Sequence, residues 1–220
     1  KQFDKEKTLL VRNYPILTEF ANPAPNILDT SFKNIIYVGA LSEERGIIKA
    51  LNAMLKLAVS YPKIRFHIIG SGQEDFMKSI KLHPGWVYVK YHGQQDLPYV
   101  VSHLKSSDVG LIPLLDVKRY RATIPTKFYE YMAAGLPIVA SNFAEWKQKL
   151  GKDSAQFAGP EPNEIFKALD DLFKNYGTYK KNAAKRAKDA VKTYSWDSEL
   201  EQVLMTYKKI IKSSGNSHSL

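Results

Sequence analysis

A chain of 220 residues is long enough for one large domain or two small ones around a substantial buried core. Its 44% hydrophobic and 25% charged content is that of a folded globular protein, and without Cys it can build neither a disulfide framework nor a thiolate metal site. The net charge of +10, from 32 basic and 22 acidic residues, suits anionic small molecules, anionic lipid headgroups or nucleic acid and by itself selects none of them. No apolar run reaches the length that spans a bilayer, and the polar start (Lys1, Gln2, Asp4, Lys5, Glu6, Lys7) is not a signal peptide. The first residue is not Met, so a fragment or processed chain is expected. Absence of Cys fits a reducing compartment.

Thr8 to Pro15 reads as a short apolar strand ending in a turn, and residues 18–31, with Asn22-Pro23-Ala24-Pro25-Asn26, as an extended connector. Asn34 to Gly39 reads as the first core strand. Ser42 is the expected N-cap of the helix that follows, because Ile47, Leu51, Met54, Leu55 and Ala58 recur at helical spacing. Strand, glycine turn and helix form a Rossmann-like unit, but the full Gly-x-Gly-x-x-Gly fingerprint is absent, which disfavours a dinucleotide-dependent dehydrogenase. Ile64 to Ile69 is a second strand running into Gly70-Ser71-Gly72, a turn in which glycine allows a close backbone approach. His67 inside that strand reads as structural. Trp86 to Gly93 alternates as a third strand, followed by a helix from about Asp96. Asp108 to Leu114 is a fourth strand. The basic loop 115–124 leads on from it, with Lys118, Arg119 and Arg121 either contacting phosphate or solvated, the solvated reading being favoured and least firmly so for Arg121.

Pro125 to Ser141 is the most informative stretch. Pro125 suits a helix start, Gly135 supplies the C′ position, Pro137 prevents the helix from resuming, and Leu136 to Ala140 is a buried parallel strand. Phe128 and Met132 lie on the core face. Lys127 and Glu130, three apart, share another face near the positive end of the helix dipole. That end favours anions, so a lysine there is either one half of a weak surface pair or a ligand for a bound phosphate.

Beyond it, residues 142–150 read as a short helix, Ala155 to Ala158 as a last edge strand, and Ile165, Leu169, Leu172 and Phe173 as the apolar face of another helix. Lys174 to Lys192 holds seven basic residues and one acid, either a solvated face or a dock for anionic lipid. Ser195 caps a closing amphipathic helix through Leu200, Val203, Leu204, Tyr207 and Ile211, and Ser213 to Leu220 is expected to be a disordered tail.

Residues 125–141, Pro-Thr-Lys-Phe-Tyr-Glu-Tyr-Met-Ala-Ala-Gly-Leu-Pro-Ile-Val-Ala-Ser, closely resemble the donor-site segment of the group 1 (family 4) glycosyltransferases of the GT-B fold. The likeness extends from about Thr8 to Lys212. It implies that Glu130 holds the ribose of a nucleotide-sugar, UDP- or GDP-type, and that Gly39, Arg45, Thr126 and Lys127 bind its diphosphate. Gly70, Gly72, His92 and Gly93 are then candidates for the base pocket or its turns. Two positions depart from the family pattern. Ala40 replaces an arginine common after the first glycine, and Ala122 stands where many retaining members carry a second glutamate eight residues before Glu130. The sugar would then depend on backbone N–H groups near residues 122–124.

The fold expected is therefore α/β: a Rossmann-like three-layer sandwich with a mostly parallel sheet, one half of a GT-B fold. Residues 1–30 would be a connector with a first short strand, 31–192 the nucleotide-sugar-binding domain, 193–213 a C-terminal crossing helix and 214–220 a disordered tail. By resemblance the chain is the donor half of a retaining hexosyltransferase acting on a cell-surface glycan or related acceptor. The N-terminal acceptor half is missing, so this half alone would transfer poorly or not at all. No catalytic residue is assigned, no metal site or cofactor beyond the donor is expected, and the location expected is cytoplasmic or peripheral at the inner face of a membrane. The alternative is a non-catalytic basic module for a membrane surface or nucleic acid. No nucleic-acid motif accompanies the charge, so no nucleic-acid partner is expected.

Overall fold

The computed structural model describes residues 8–22, 24–121, 123–150 and 155–215. Six strands, β1 (Lys33–Val38), β2 (Ile64–Ile69), β3 (Val89–Gly93), β4 (Val109–Ile112), β5 (Ile138–Ser141) and β6 (Ala155–Ala158), form one sheet in the order β3-β2-β1-β4-β5-β6. Every neighbouring pair is parallel. Alternation along β1 sends Ile36 and Val38 to one face and Ile35 and Tyr37 to the other, so a separate core forms on each side. Helices α1 (Thr18–Ala21), α4 (Leu97–Ser106), α6 (Thr126–Ala133) and α9 (Tyr176–Thr193) contribute to the first core. Helices α2 (Ile47–Ser60), α3 (Glu74–Lys81) and α8 (Pro162–Lys174) contribute to the second. The three-layer α/β sandwich is thus the architecture found, with the sheet wholly parallel.

The chain order reverses direction between β1 and β4: β1 leads outward to β2 and β3, β4 to β5 and β6. In an open parallel sheet the loops leaving such a pair diverge and open a crevice beyond the carboxyl ends of the strands. Helix α6 and β5 are joined as the sequence predicts. Gly135 N–H bonds the Met132 carbonyl and Leu136 N–H the Tyr131 carbonyl, the paired bonds of a Schellman stop. Helix α7 (Ala144–Leu150) then returns Trp146 to the loop before α6, where its Nε1 donates to the Thr123 carbonyl at 2.9 Å and its ring meets Phe128.

Four expectations are corrected. Thr8 to Pro15 is extended but joins no strand: the sheet ends at β3 and β6, and this segment runs along the helices, with Arg12 N–H bonded to Glu199 at 2.9 Å. Trp86 to Tyr88 belongs to a 3-10 turn (Pro84–Tyr88) that Pro84 opens and the His83 side chain caps by accepting from Gly85 N–H, and only Val89–Gly93 enters the sheet. Ser42 does not cap α2; Gly46 occupies the N-cap in the left-handed region, and the Ser42 carbonyl accepts from Arg45 N–H. The final helix, α10 (Trp196–Gly215), continues past residue 213, while residues 216–220 lie outside the described part.

Along α10, Leu200, Leu204, Tyr207 and Ile211 share a stripe that is solvent-exposed, with Ile211 69% exposed. Ile211→Glu is expected to change stability by no more than ~0.5 kcal/mol, readable as an unchanged melting temperature; a clear drop would mean that the stripe is covered. No helix among the described residues is long and apolar enough to cross a membrane.

Candidate donor site

A 340 Å3 pocket lies at the carboxyl ends of β1 and β4, where the chain order reverses. Val38, Gly39, Ala40 and Arg45 reach it from the turn after β1, and Thr123 to Lys127 from the start of α6. The four diphosphate candidates, Gly39, Arg45, Thr126 and Lys127, therefore all line one pocket. Pro125 is the N-cap of α6 and makes no side-chain cap, so the first N–H groups of the helix face the pocket region without a capping oxygen.

At this pocket Lys127 Nζ donates to both Glu130 oxygens, at 3.2 and 2.9 Å. Glu130 is only 7% exposed, so the pair is more than a loose surface contact. A buried carboxylate must keep a partner, and here the partner is a cation that also lines the pocket. A diol donating two hydroxyls could take over the carboxylate and leave Lys127 for an anion. This is the chemistry by which one ligand with both groups would use the pair.

The other candidates lie elsewhere. Gly70 and Gly72 do not line the pocket; they let the turn after β2 stack backbone to backbone on the turn after β1. A Cβ on Gly70 would stand 1.9 Å from the Gly39 carbonyl oxygen, and Leu41 and Gly72 form a bridge. Their role is to fix the turn that presents Gly39.

His92 and Gly93 end β3, away from this pocket. Both ring nitrogens of His92 are engaged within the protein. Asn34 commits Nδ2 to the Asp29 and Phe32 carbonyls, leaving Oδ1 to accept from His67 Nε2 at 3.0 Å. His67 Nδ1 then carries a lone pair and accepts from His92 Nε2–H at 3.0 Å, and His92 Nδ1 accepts the Tyr99 hydroxyl at 2.8 Å. What His92 offers a ligand is its backbone. Burial, then the neighbouring His92, His103, Arg65 and Lys90, lowers the His67 pKa to about 3; burial, then His103 and Lys90, lowers that of His92 to about 4. His67 is structural, as its place in the strand predicts.

In the basic loop, which carries the short helix α5 (Lys118–Arg121), two cations read as solvated are paired. Arg121 Nε contacts Asp116 at 2.5 Å, and Arg119 pairs with Glu44. Asn13 and Tyr120 also line the pocket. Neither was legible locally: both reach the site through contacts far apart in sequence. Ala122 lies outside the described residues. Among the described residues no group of three or more His, Asp or Glu is placed to hold a metal ion.

The family described as Glycosyl transferases group 1 matches residues 32–175. Among curated proteins, a phosphatidyl-myo-inositol mannosyltransferase from Mycolicibacterium smegmatis is 24% identical over 81% of the chain and 45% of its own length. The gpi3 subunit of phosphatidylinositol N-acetylglucosaminyltransferase from Schizosaccharomyces pombe is 22% identical over 89% of the chain and 42% of its own length. The chain thus spans less than half of either relative. Among solved structures, Anabaena Alr3699/HepE in complex with UDP and glucose superposes with a TM-score of 0.74 at 16% identity, covering 94% of this chain and 58% of that one. S. aureus TarM in complex with Fondaparinux, alpha-GlcNAc-glycerol and UDP gives 0.68 at 16% identity, covering 92% and 40%.

Proposed function

The chain belongs to the group 1 glycosyl transferases, and on that premise we propose that it is the nucleotide-sugar-binding half of a hexosyltransferase using a UDP- or GDP-type donor. The observation that carries this reading is the convergence of Gly39, Arg45, Thr126 and Lys127 on one pocket, with the Lys127–Glu130 pair beneath it. Glu130 would accept from the ribose hydroxyls. Arg45, Lys127 and the first N–H groups of α6 would hold the diphosphate and stabilise the charge it gains as the glycosidic bond breaks. No further cofactor enters this scheme, and the outcome proposed is retention, with the sugar held by backbone near Ile124. Relatives bound to UDP support the class of donor.

The acceptor half would dock on the exposed stripe of α10, and without it the chain would bind donor but transfer little. Both curated relatives carry phosphatidylinositol in their names, and α9 exposes Lys181, Lys185 and Lys188. These features support a cytoplasmic enzyme peripheral to the inner membrane face and acting on a glycan or glycolipid acceptor.

Calorimetric titration of UDP, GDP and ADP tests the reading. One of the three is expected to bind, with Glu130→Ala and Lys127→Ala each weakening it at least about tenfold, the effect of losing one charge-assisted contact worth ~1.5–3 kcal/mol. Absence of binding by all three, with salt-sensitive binding to anionic vesicles or nucleic acid instead, would favour the basic-module alternative.

A further inference from the structure

Two cations, Arg45 and Lys127, line the donor pocket and a third, Arg119, is the neighbour of its lining residue Tyr120; each is held differently. Lys127 is paired with Glu130. Arg119 is paired with Glu44 and donates from Nη2 to the Tyr120 hydroxyl at 3.3 Å. Arg45 lines the pocket, and its guanidinium carbon sits 5.2 Å from the centroid of the Tyr120 ring. The same ring takes the Arg119 guanidinium at 5.0 Å. Tyr120 is itself 9% exposed and packs in the core beside α6.

The way a guanidinium is held decides what it can still do. A carboxylate partner occupies its edge, where the N–H donors lie, whereas an aromatic ring occupies its face. An arginine held over a ring therefore keeps its N–H donors for a phosphate, which they can grip bidentately. It also loses part of its rotamer freedom before the ligand arrives, so less must be lost on binding. The surrounding contacts draw the competing carboxylate away. Leu115 N–H bonds the Glu44 carbonyl at 2.9 Å and Arg119 takes the Glu44 side chain, so the residue next to Arg45 is tied to the 115–121 segment and not to Arg45.

From this we infer that Tyr120 is a positioning residue: its ring holds Arg45 against the pocket wall with the donor edge free for the diphosphate. The inference rests on the donor-site reading of this pocket. It makes the loop between β4 and α6 part of the binding apparatus, through a ring that touches the arginine and needs no contact with the ligand.

The test is a double-mutant cycle read by calorimetry with the nucleoside diphosphate that binds the unmodified protein, and with its parent nucleoside. Tyr120→Phe keeps the ring and is expected to bind the diphosphate within about twofold of the unmodified chain. Tyr120→Leu removes the ring and is expected to weaken it about 3- to 30-fold, the span of a cation–π contact from exposed to desolvated. In an Arg45→Ala background, Tyr120→Leu should produce no further loss, and the parent nucleoside should bind all variants alike. An equal loss from Tyr120→Leu with and without Arg45 would assign Tyr120 to packing alone and overturn the inference, as would an unchanged affinity. Failure of every nucleoside diphosphate to bind the unmodified protein would remove the donor-site reading itself, an outcome distinct from either.

Discussion

Between pH 6.5 and 4.5 the protein is expected to lose about 4 kcal/mol of folding stability, most of it through His67 and His92. Both rings accept a hydrogen bond at Nδ1, His67 from His92 and His92 from Tyr99, and an imidazolium cannot accept. Burial is the largest cause that lowers both pKa values, to about 3 and about 4; His103 and Lys90 act on both in the same direction, and His92 and Arg65 do so on His67. His103, whose Nδ1 bonds the Tyr99 carbonyl at 2.9 Å, is itself lowered by burial. With folded values below the ordinary 6.5, the unfolded chain binds more protons on acidification. The stabilisation is then complete above pH 6.5 and drains as pH falls toward the folded values. Each histidine contributes about 1.4 kcal/mol per pH unit in that window, with His92 counted at a discount because it is only half-buried. Against a total of ~5–15 kcal/mol, such a loss brings a domain close to unfolding. Urea titrations at half-unit pH steps measure it, and His92→Gln, which keeps a donor for His67 while removing one titrating ring, should lower the slope by about one proton. A flat stability between pH 6 and 5 would contradict the hydrogen-bonded chain from Asn34 to Tyr99.

What was legible in the sequence follows the range of the forces involved. The α6–β5 unit is set by residues within a few positions of one another: the helix, its glycine stop and the buried strand are all local, and the structure has each of them. The Rossmann-like alternation likewise follows from short apolar runs. The errors occur where a local pattern meets a distant partner. Thr8 to Pro15 has a strand's composition, but it pairs with no strand of the sheet, and its Arg12 N–H bonds Glu199 from the far end of the chain. Arg119 is solvated as read, but its partner, Glu44, lies in the turn after the first strand and could not be seen locally. Tyr120 carries no local mark of its place against Arg45, and His92 reads as a base-pocket candidate until His67 and Tyr99 are seen to occupy its ring nitrogens. Burial of Glu130 was also invisible: spacing put it near Lys127, but only the tertiary core removes the pair from solvent.

Gly46→Ala is expected to lower stability by about 3–5 kcal/mol and to abolish nucleoside diphosphate binding together with it. Gly46 caps α2 with φ +71°, and a Cβ there would stand 1.8 Å from the Pro113 carbonyl oxygen at the end of β4. The left-handed backbone alone costs an alanine ~1–2 kcal/mol. The overlap is with backbone, so it cannot be relieved by a rotamer change; either the start of α2 or the end of β4 must move. Arg45 is the next residue back, and Tyr120 stands a few residues beyond Pro113, so the same displacement separates the arginine from its ring. Gly93→Ala provides the comparison. Gly93 has nearly the same φ, +68°, but no atom within 4 Å of a built Cβ, so only the conformational part should be lost. At about 2–4 °C per kcal/mol for a chain of this size, Gly46→Ala should melt roughly 10 °C lower than the unmodified protein, and Gly93→Ala only a few degrees lower. Equal shifts for the two would mean that conformation, not the close approach of the β1 and β4 turns, is what requires glycine at position 46. The pocket wall would then tolerate a looser junction than the structure shows.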